Sequence, residues 1–247
     1  MRALILAAGR GSRMGDLTSK LPKCRTIFFG KELINWQIDS LKEAGLDELG
    51  IITGYLKETF NHEATYFTNK RWSETNMVMT LMEAAEWLEN YDCIISYSDI
   101  CYSSDAVKRL MHTNADIAIS YDPDWLNLWK IRMEDPLSDA ETFKMDENKN
   151  LVEIGKKTDR LSDISGQFMG LIRITPNGYR AIKNLIQSRS RKEQDRMDFT
   201  SLLNLMIQNN FKVATTPIAD QWYEVDTESD LKAYEKWRSV DDVFNKY

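Results

Sequence analysis

At 247 residues the chain can form one large α/β domain with a sizeable buried core. Its 43% hydrophobic and 28% charged residues are ordinary for a globular protein, and a net charge of −6 argues against general nucleic-acid binding, which needs a basic face. Anionic substrates must then be met by a few placed cations, not by the overall field.

Short apolar runs alternate with amphipathic patterns through the first half. Ala3 to Ala7 is a candidate buried strand, and Leu33 to Ala44 carries Ile34, Ile38 and Leu41 at helical spacing before stopping at Gly45. Leu49 to Thr53 is a second strand. A helix over Asn76 to Leu88 presents Met77, Leu81, Ala84, Ala85 and Leu88 on one face, and Asp92 to Tyr97 is the next strand. Ser104 to His112 forms a helix and Asp116 to Tyr121 a strand. Alternation with connections of this length implies parallel strands and right-handed crossovers.

The second half changes character. Pro123 to Pro136 is rich in tryptophan and charge and has no clean period. Thr142 to Met145 and Leu151 to Ile154 form a hairpin around Asp146-Glu147-Asn148-Lys149, and Phe168 to Ile174 is a strong strand. Helices follow near Gly178 to Gln187 and Phe199 to Gln208. The strand Val213 to Pro217 and the segment Trp222 to Val225 lead into a last helix from Glu228 to Trp237. With no repeat, low-complexity tract or linker, the expectation is a single domain over 1–247, with sub-lobes 1–121 and 122–247.

The three cysteines, Cys24, Cys93 and Cys101, lack CxxC spacing, as expected of free thiols in a reducing cytoplasm. The apolar run from Met1 to Ala8 is too short for a signal peptide, and no segment approaches the roughly 20 apolar residues of a membrane span. The expectation is a cytoplasmic protein with no membrane partner.

The densest chemical signal is Leu6-Ala7-Ala8-Gly9-Arg10-Gly11-Ser12-Arg13-Met14-Gly15, continuing to Leu21-Pro22-Lys23. It follows a strand, where ligand sites of open α/β sheets lie. Small residues let main-chain N–H groups approach a phosphate, and Arg13 and Lys23 neutralise it. The glycines match neither the dinucleotide pattern nor a P-loop. A flexible strand-to-helix loop is the competing reading.

Two further segments offer carboxylates. In Ile94-Ile95-Ser96-Tyr97-Ser98-Asp99 the acid ends an apolar strand and suits a hard cation such as Mg²⁺. It could instead cap a helix, a role for which Ser103 and Ser104 compete. In Trp222-Tyr223-Glu224-Val225-Asp226-Thr227-Glu228, alternation puts Tyr223 and Val225 on one face and Trp222, Glu224 and Asp226 on the other. Asp226 or Thr227 could cap the last helix. Thr75 or Asn76, in Ser73-Glu74-Thr75-Asn76-Met77, could cap the helix that follows.

Leu-Ala-Ala-Gly-x-Gly-Ser-Arg-Met followed by Leu-Pro-Lys resembles the signature of the sugar-phosphate-type nucleotidyltransferases, and the resemblance runs over nearly the whole chain. It implies a doubly wound, mostly parallel mixed sheet, a Rossmann-like α/β fold with a small β-rich acceptor-binding insertion. It also implies Mg²⁺ and transfer of a nucleoside monophosphate to a phosphate-bearing acceptor, releasing pyrophosphate. By this match Leu6, Ala7, Ala8, Gly9, Gly11 and Ser12 cradle the triphosphate, Arg13 and Lys23 are the catalytic cations, and Asp99 and Asp226 hold the metal. Residues 1–121 become a nucleotide-binding half and 122–247 an acceptor-binding half.

The Trp-Tyr-Glu-x-Asp-Thr and Glu-Thr-Asn segments are similar to the branch that includes the CTP:phosphocholine cytidylyltransferases. That likeness implies CTP, with Thr75, Asn76 and Ser98 beside the nucleotide and Glu224 beside the acceptor. Trp125, Trp129, Arg132, Asp139 and Glu141 share one unusual stretch, whose aromatic faces and carboxylates suit an ammonium group or else cover a sheet edge.

Within the resemblance, Lys156 in Glu153-Ile154-Gly155-Lys156-Lys157 is expected to reach the acceptor phosphate, and Gln167 lies in the matching Gly166-Gln167-Phe168-Met169-Gly170. Arg196-Met197-Asp198-Phe199 falls where phosphocholine enzymes place an acidic-aromatic wall, with Phe199 in place of the expected tyrosine. The acceptor implied is a small phosphorylated amine or amino acid: phosphocholine, 2-aminoethylphosphonate or L-glutamine phosphate. Asp-Pro-Leu-Ser-Asp-Ala-Glu and Gly-Gln-x-Met-Gly-Leu resemble the CTP:phosphoglutamine cytidylyltransferases of capsule phosphoramidate synthesis, implying a role in surface polysaccharide modification. A sugar-1-phosphate nucleotidyltransferase using UTP or dTTP and a non-catalytic nucleotide-sensing module are the alternatives. A phosphomonoester, with a second pKa of about 6, needs no general base at neutral pH, in keeping with only His62 and His112 in the chain.

Overall fold

The computed structural model describes residues 1–219 and 221–237. In chain order the first half contributes β1 (Arg2–Ala7), α1 (Leu33–Glu43), β2 (Leu49–Thr53), β3 (Thr65–Thr68), α2 (Met77–Met82), α3 (Ala85–Asn90), β4 (Cys93–Tyr97), β5 (Ile100–Tyr102), α4 (Ser104–Met111) and β6 (Ile117–Asp122). The second contributes α5 (Trp125–Arg132), β7 (Glu141–Met145), β8 (Leu151–Lys157), β9 (Gln167–Ile174), α6 (Pro176–Gln187), α7 (Arg191–Arg196), α8 (Phe199–Gln208), β10 (Ala214–Pro217), β11 (Trp222–Glu224) and α9 (Glu228–Trp237).

Strand β1 shows why the sheet is covered on both faces. Successive side chains point to opposite sides, so an apolar run in which every residue is hydrophobic must be buried twice. Ala3, Ile5 and Ala7 join a core with Leu33, Ile34, Ile38 and Leu41 of α1 and Ala106, Val107 and Leu110 of α4. Leu4 and Leu6 join the opposite core with residues of α2, α3, α6 and α8.

The central sheet has seven strands in the order β10-β6-β9-β4-β1-β2-β3. All neighbours are parallel except β9, which runs antiparallel to both β4 and β6. The chain leaves β1 towards β2 on one side and returns to β4 on the other. That reversal opens a crevice at the carboxyl ends of β1 and β4, where Gly9 and Asp99 follow. The doubly wound mixed sheet expected from sequence is the one observed. The expected hairpin is the antiparallel pair β7–β8, inserted between β6 and β9.

Several elements depart from expectation, three of them for a physical reason. The single helix over Asn76 to Leu88 is two, because Ala84 leaves helical geometry at φ −94, ψ 25. Neither Gly nor Pro marks that break. Helix α5 shows no hydrophobic period because Arg132 occupies a buried position in line with Trp125, Leu128 and Trp129. Helix α7 buries no residue and is held instead by a capping box between Ser190 and Glu193. The edge strand β3, half open to solvent, was also not expected. Among the described residues no helix is long and apolar enough to cross a membrane, and Cys24, Cys93 and Cys101 are buried free thiols.

Candidate active site

The turn after β1 is fixed from inside. Met14 is buried beneath it, and Tyr55 N–H donates to the Ala8 carbonyl at 2.9 Å. Gly11 sits at φ 72, and a Cβ there would lie 2.6 Å from Cβ of Lys23, so glycine lets the lysine stem pass beneath the loop. The Lys23 ammonium ends between two carboxylates, 2.7 Å from Oδ2 of Asp99 and 2.6 Å from Oδ1 of Asp226. Arg13 also reaches Asp226, at 3.1 Å.

Competing assignments for the acids resolve in the structure. Ser103 caps α4 through the Ala106 N–H, which leaves the Asp99 side chain free for the crevice. At α9 the Thr227 hydroxyl accepts from the Asp230 N–H, while Asp230 accepts from the N–H groups of Asp226 and Thr227. The Asp226 carboxylate is therefore not a cap. Strand β11 buries Tyr223 and Val225 in the core and turns Glu224 and Asp226 the other way, as alternation requires.

Electrostatics favour the charged forms of Lys23 and Asp226. Burial would depress the Lys23 ammonium, but Asp99 and Asp226 more than offset it, so its pKa lies above the usual lysine value. Burial would raise Asp226, yet Lys23, then Arg13 and Arg132, hold it below the usual carboxylate range. Burial raises Glu224 despite its ion pair with Arg132, and the negative charges of Asp226 and Asp99 push the same way.

Two cavities meet at the cluster. The first, about 200 Å³, is lined by Leu6, Ala8, Gly9, Gly11, Arg13, Lys23, Thr75, Asn76, Ser98 and Asp99, together with Trp72, Met77 and Thr80. The second, about 180 Å³, is lined by Trp129, Gln167, Glu224 and Asp226, with Tyr97, Asp139, Glu141, Thr142, Phe143, Ile154, Phe168 and Thr200. Trp129 donates its indole N–H to Asp139 at 3.2 Å, and Gln167 donates to the Glu141 carbonyl at 2.9 Å.

Five expected residues lie outside these linings. Ala7 is 1% exposed and belongs to the core beneath the sheet. Ser12 begins the helical turn that follows the loop. Trp125 packs edge-on against Trp129 in the core, so only the second tryptophan meets the cavity. Lys156 pairs with Glu153 at 2.6 Å and lines a different depression, because the irregular pairing around Gly155 turns it away. Asp198 accepts from the Ser201 N–H and caps α8. Asn76 also caps α2 while remaining on the wall of the first cavity.

Sequence reasoning missed Trp72, Tyr97, Thr142, Phe168 and Thr200. None was given a role, although Tyr97 and Phe168 each lie within a segment already singled out. The buried Arg132 contacts Glu224, lies 3.3 Å from Asp230 and 3.7 Å from Asp226, and sits 5.0 Å over the Trp129 ring. It ties α5 to β11 and α9.

The donor set fits Mg²⁺. Oδ1 of Asp99 is buried without a hydrogen-bond partner, an oxygen acceptor in want of a cation. Among the described residues there is no cluster of three or more potential metal ligands. Two carboxylates are what an ion that draws its remaining ligands from phosphate and water requires.

Comparison with known proteins gives the family and the fold. Residues 3–142 match the MobA-like NTP transferase domain. The chain is 34% identical to the CTP:phosphoglutamine cytidylyltransferase of Campylobacter jejuni, over 94% of this chain and 98% of that protein. Among solved structures, the inositol-1-phosphate CTP transferase of T. maritima superposes with a TM-score of 0.76 at 20% identity, covering 99% of this chain and 98% of that one. The CTP:phosphocholine cytidylyltransferase of Streptococcus pneumoniae gives 0.72 at 21% identity, covering 96% and 98%. At these identities the two structures speak to the fold alone.

Proposed function

The chain belongs to the family of MobA-like NTP transferase domains, and from that premise we propose that it moves CMP from CTP to the phosphate of a small phosphorylated amine or amino acid. That it is a nucleotidyltransferase follows from the family. The observation that carries the finer reading is the junction at Lys23, where a phosphate-cradling loop and an acidic, aromatic-lined cavity share the Asp99–Asp226 cluster.

The nucleotide-side cavity supports a triphosphate, with main-chain N–H groups of the glycine loop and the cations Arg13 and Lys23 along one wall. The acceptor-side cavity brings Asp139, Glu141 and Glu224 around Trp129, Tyr97 and Phe168. Carboxylates beside aromatic faces favour an ammonium group. Phosphocholine, 2-aminoethylphosphonate and L-glutamine phosphate share that feature. The near full-length likeness to an enzyme named for CTP and phosphoglutamine favours CTP over UTP or dTTP, and L-glutamine phosphate among the acceptors. A surface-polysaccharide role and a cytoplasmic setting, where CTP is made, belong to the same reading.

In this mechanism an acceptor phosphate oxygen attacks the α-phosphorus. One P–O bond forms, the α–β bridging P–O bond breaks, and its electrons leave with pyrophosphate. With a second phosphate pKa of about 6 the attacking oxygen is already anionic at neutral pH, so no side chain need remove a proton. Asp99 and Asp226 would hold Mg²⁺, which supplies charge neutralisation and orientation of the phosphates. Lys23 and Arg13 spread positive charge along the triphosphate, and Glu224, locked by Arg132, borders the acceptor.

Pyrophosphate release with Mg²⁺, each of four NTPs and a panel of phosphorylated amines and hexose 1-phosphates tests the proposal. Turnover with CTP and a phosphorylated amine, abolished by EDTA, is expected. Turnover confined to UTP or dTTP with a hexose 1-phosphate would overturn it, and nucleotide binding without any turnover would point to a sensing module.

A further inference from the structure

A further cavity of about 730 Å³ lies on neither side of the proposed transfer centre. It opens where α7 and α8 pass β8, and its wall carries Lys156, Arg189, Lys192 and Arg196 against a single carboxylate, Glu193. That carboxylate is already committed, since it accepts from the hydroxyl and N–H of Ser190. Lys156 is paired with Glu153. Arg189, Lys192 and Arg196 have no carboxylate within 4.0 Å among the described residues, and Nε of Arg189 is buried without any acceptor. Neighbouring Arg191, by contrast, pairs with Asp195 at 3.3 Å.

Three cations on one wall repel each other, with only the Glu193 carboxylate acting on Arg189 from nearby, and in a chain of net charge −6 they are not part of a general basic surface. Helix α8 separates them from the acceptor: Thr200 faces that cavity, while Ser201 and Asn204 face this one. The volume falls in the range of small-molecule sites and exceeds what a lone phosphate fills. Guanidinium groups match phosphoryl oxygens in charge and geometry.

We propose that this cavity is a second anion site, taking a small multivalent oxyanion with at least two phosphoryl groups. Arg189 anchors it from within and Lys192 and Arg196 close on it from the rim. Isothermal titration of the full chain with sodium tripolyphosphate in EDTA tests this without reading turnover, so the outcome is independent of the acceptor assignment. The expected result is binding that survives Lys23→Ala but weakens about tenfold or more in Lys192→Glu, as loss of a charge-assisted contact requires. Lys192 is exposed, so its replacement leaves the fold intact, and Arg189→Ala should weaken binding further. Binding lost in Lys23→Ala, binding indifferent to Lys192→Glu, or no binding at all would each overturn the proposal.

Discussion

The two cavities that meet at Lys23 are built in different ways. The cavity proposed for the nucleotide draws nearly half of its wall from one contiguous stretch, Leu6 to Lys23, which offers main chain, small residues and two cations. The cavity proposed for the acceptor is assembled from β4, α5, β7, β8, β9, α8 and β11, between Tyr97 and Asp226 in the chain. A triphosphate is the same in every enzyme that uses one, so a short rigid loop can serve it. The acceptor differs from enzyme to enzyme, and a wall of separately replaceable side chains can follow it.

That contrast can be broken most severely at the shared carboxylates. Asp99→Asn should lower turnover at least about a hundredfold, the usual scale for losing one charge-stabilising group, and should also lower thermal stability, because Oδ2 gives up its ion pair with the buried Lys23. Pyrophosphate release and a melting curve check both halves of that statement. On the acceptor side alone, Trp129→Ala should raise the KM for a phosphorylated amine about tenfold while leaving the KM for CTP within about twofold, as expected from one lost cation–π face. An equal rise in both values would erase the division between the cavities.

The pH profile sharpens the comparison further. The acceptor's own phosphate, with a second pKa of about 6, should govern the acid limb, so activity falls about tenfold per unit well below it. A phosphonate acceptor should shift that limb with its own pKa, whereas a limb indifferent to the acceptor would point to a protein group. The smallest effect is on stability. Gly155, at φ 82, would bring a Cβ within 2.0 Å of Cγ2 of Thr200. Gly155→Ala should cost about 1–3 kcal/mol in chemical denaturation, and would loosen the acceptor wall without touching the nucleotide loop.

The same contrast explains what could be read in the sequence. The loop motif is local, so spacing alone singled out Gly11, Arg13 and Lys23, which share one cavity wall, and strand patterns recovered most of the central sheet. The acceptor wall is not local. Trp125 and Trp129 look alike in sequence, yet a helix that sequence did not reveal turns one into the core and the other into the cavity. Arg132 hid that helix by putting a charge in its buried stripe. Lys156 carried the expected motif but points elsewhere, because the positive φ of Gly155 cannot be inferred from spacing alone. Tyr97, Thr142, Phe168 and Thr200 become neighbours only when the sheet folds.

The account rests on one claim, that the transfer centre lies where Lys23 joins Asp99 and Asp226. Steady-state pyrophosphate release by Lys23→Ala, with CTP and the preferred phosphorylated amine both saturating, tests it most directly. The predicted result is a fall in kcat of at least about a hundredfold in a protein that still folds, as expected for removing a cation from the developing charge. A near-normal kcat would contradict it.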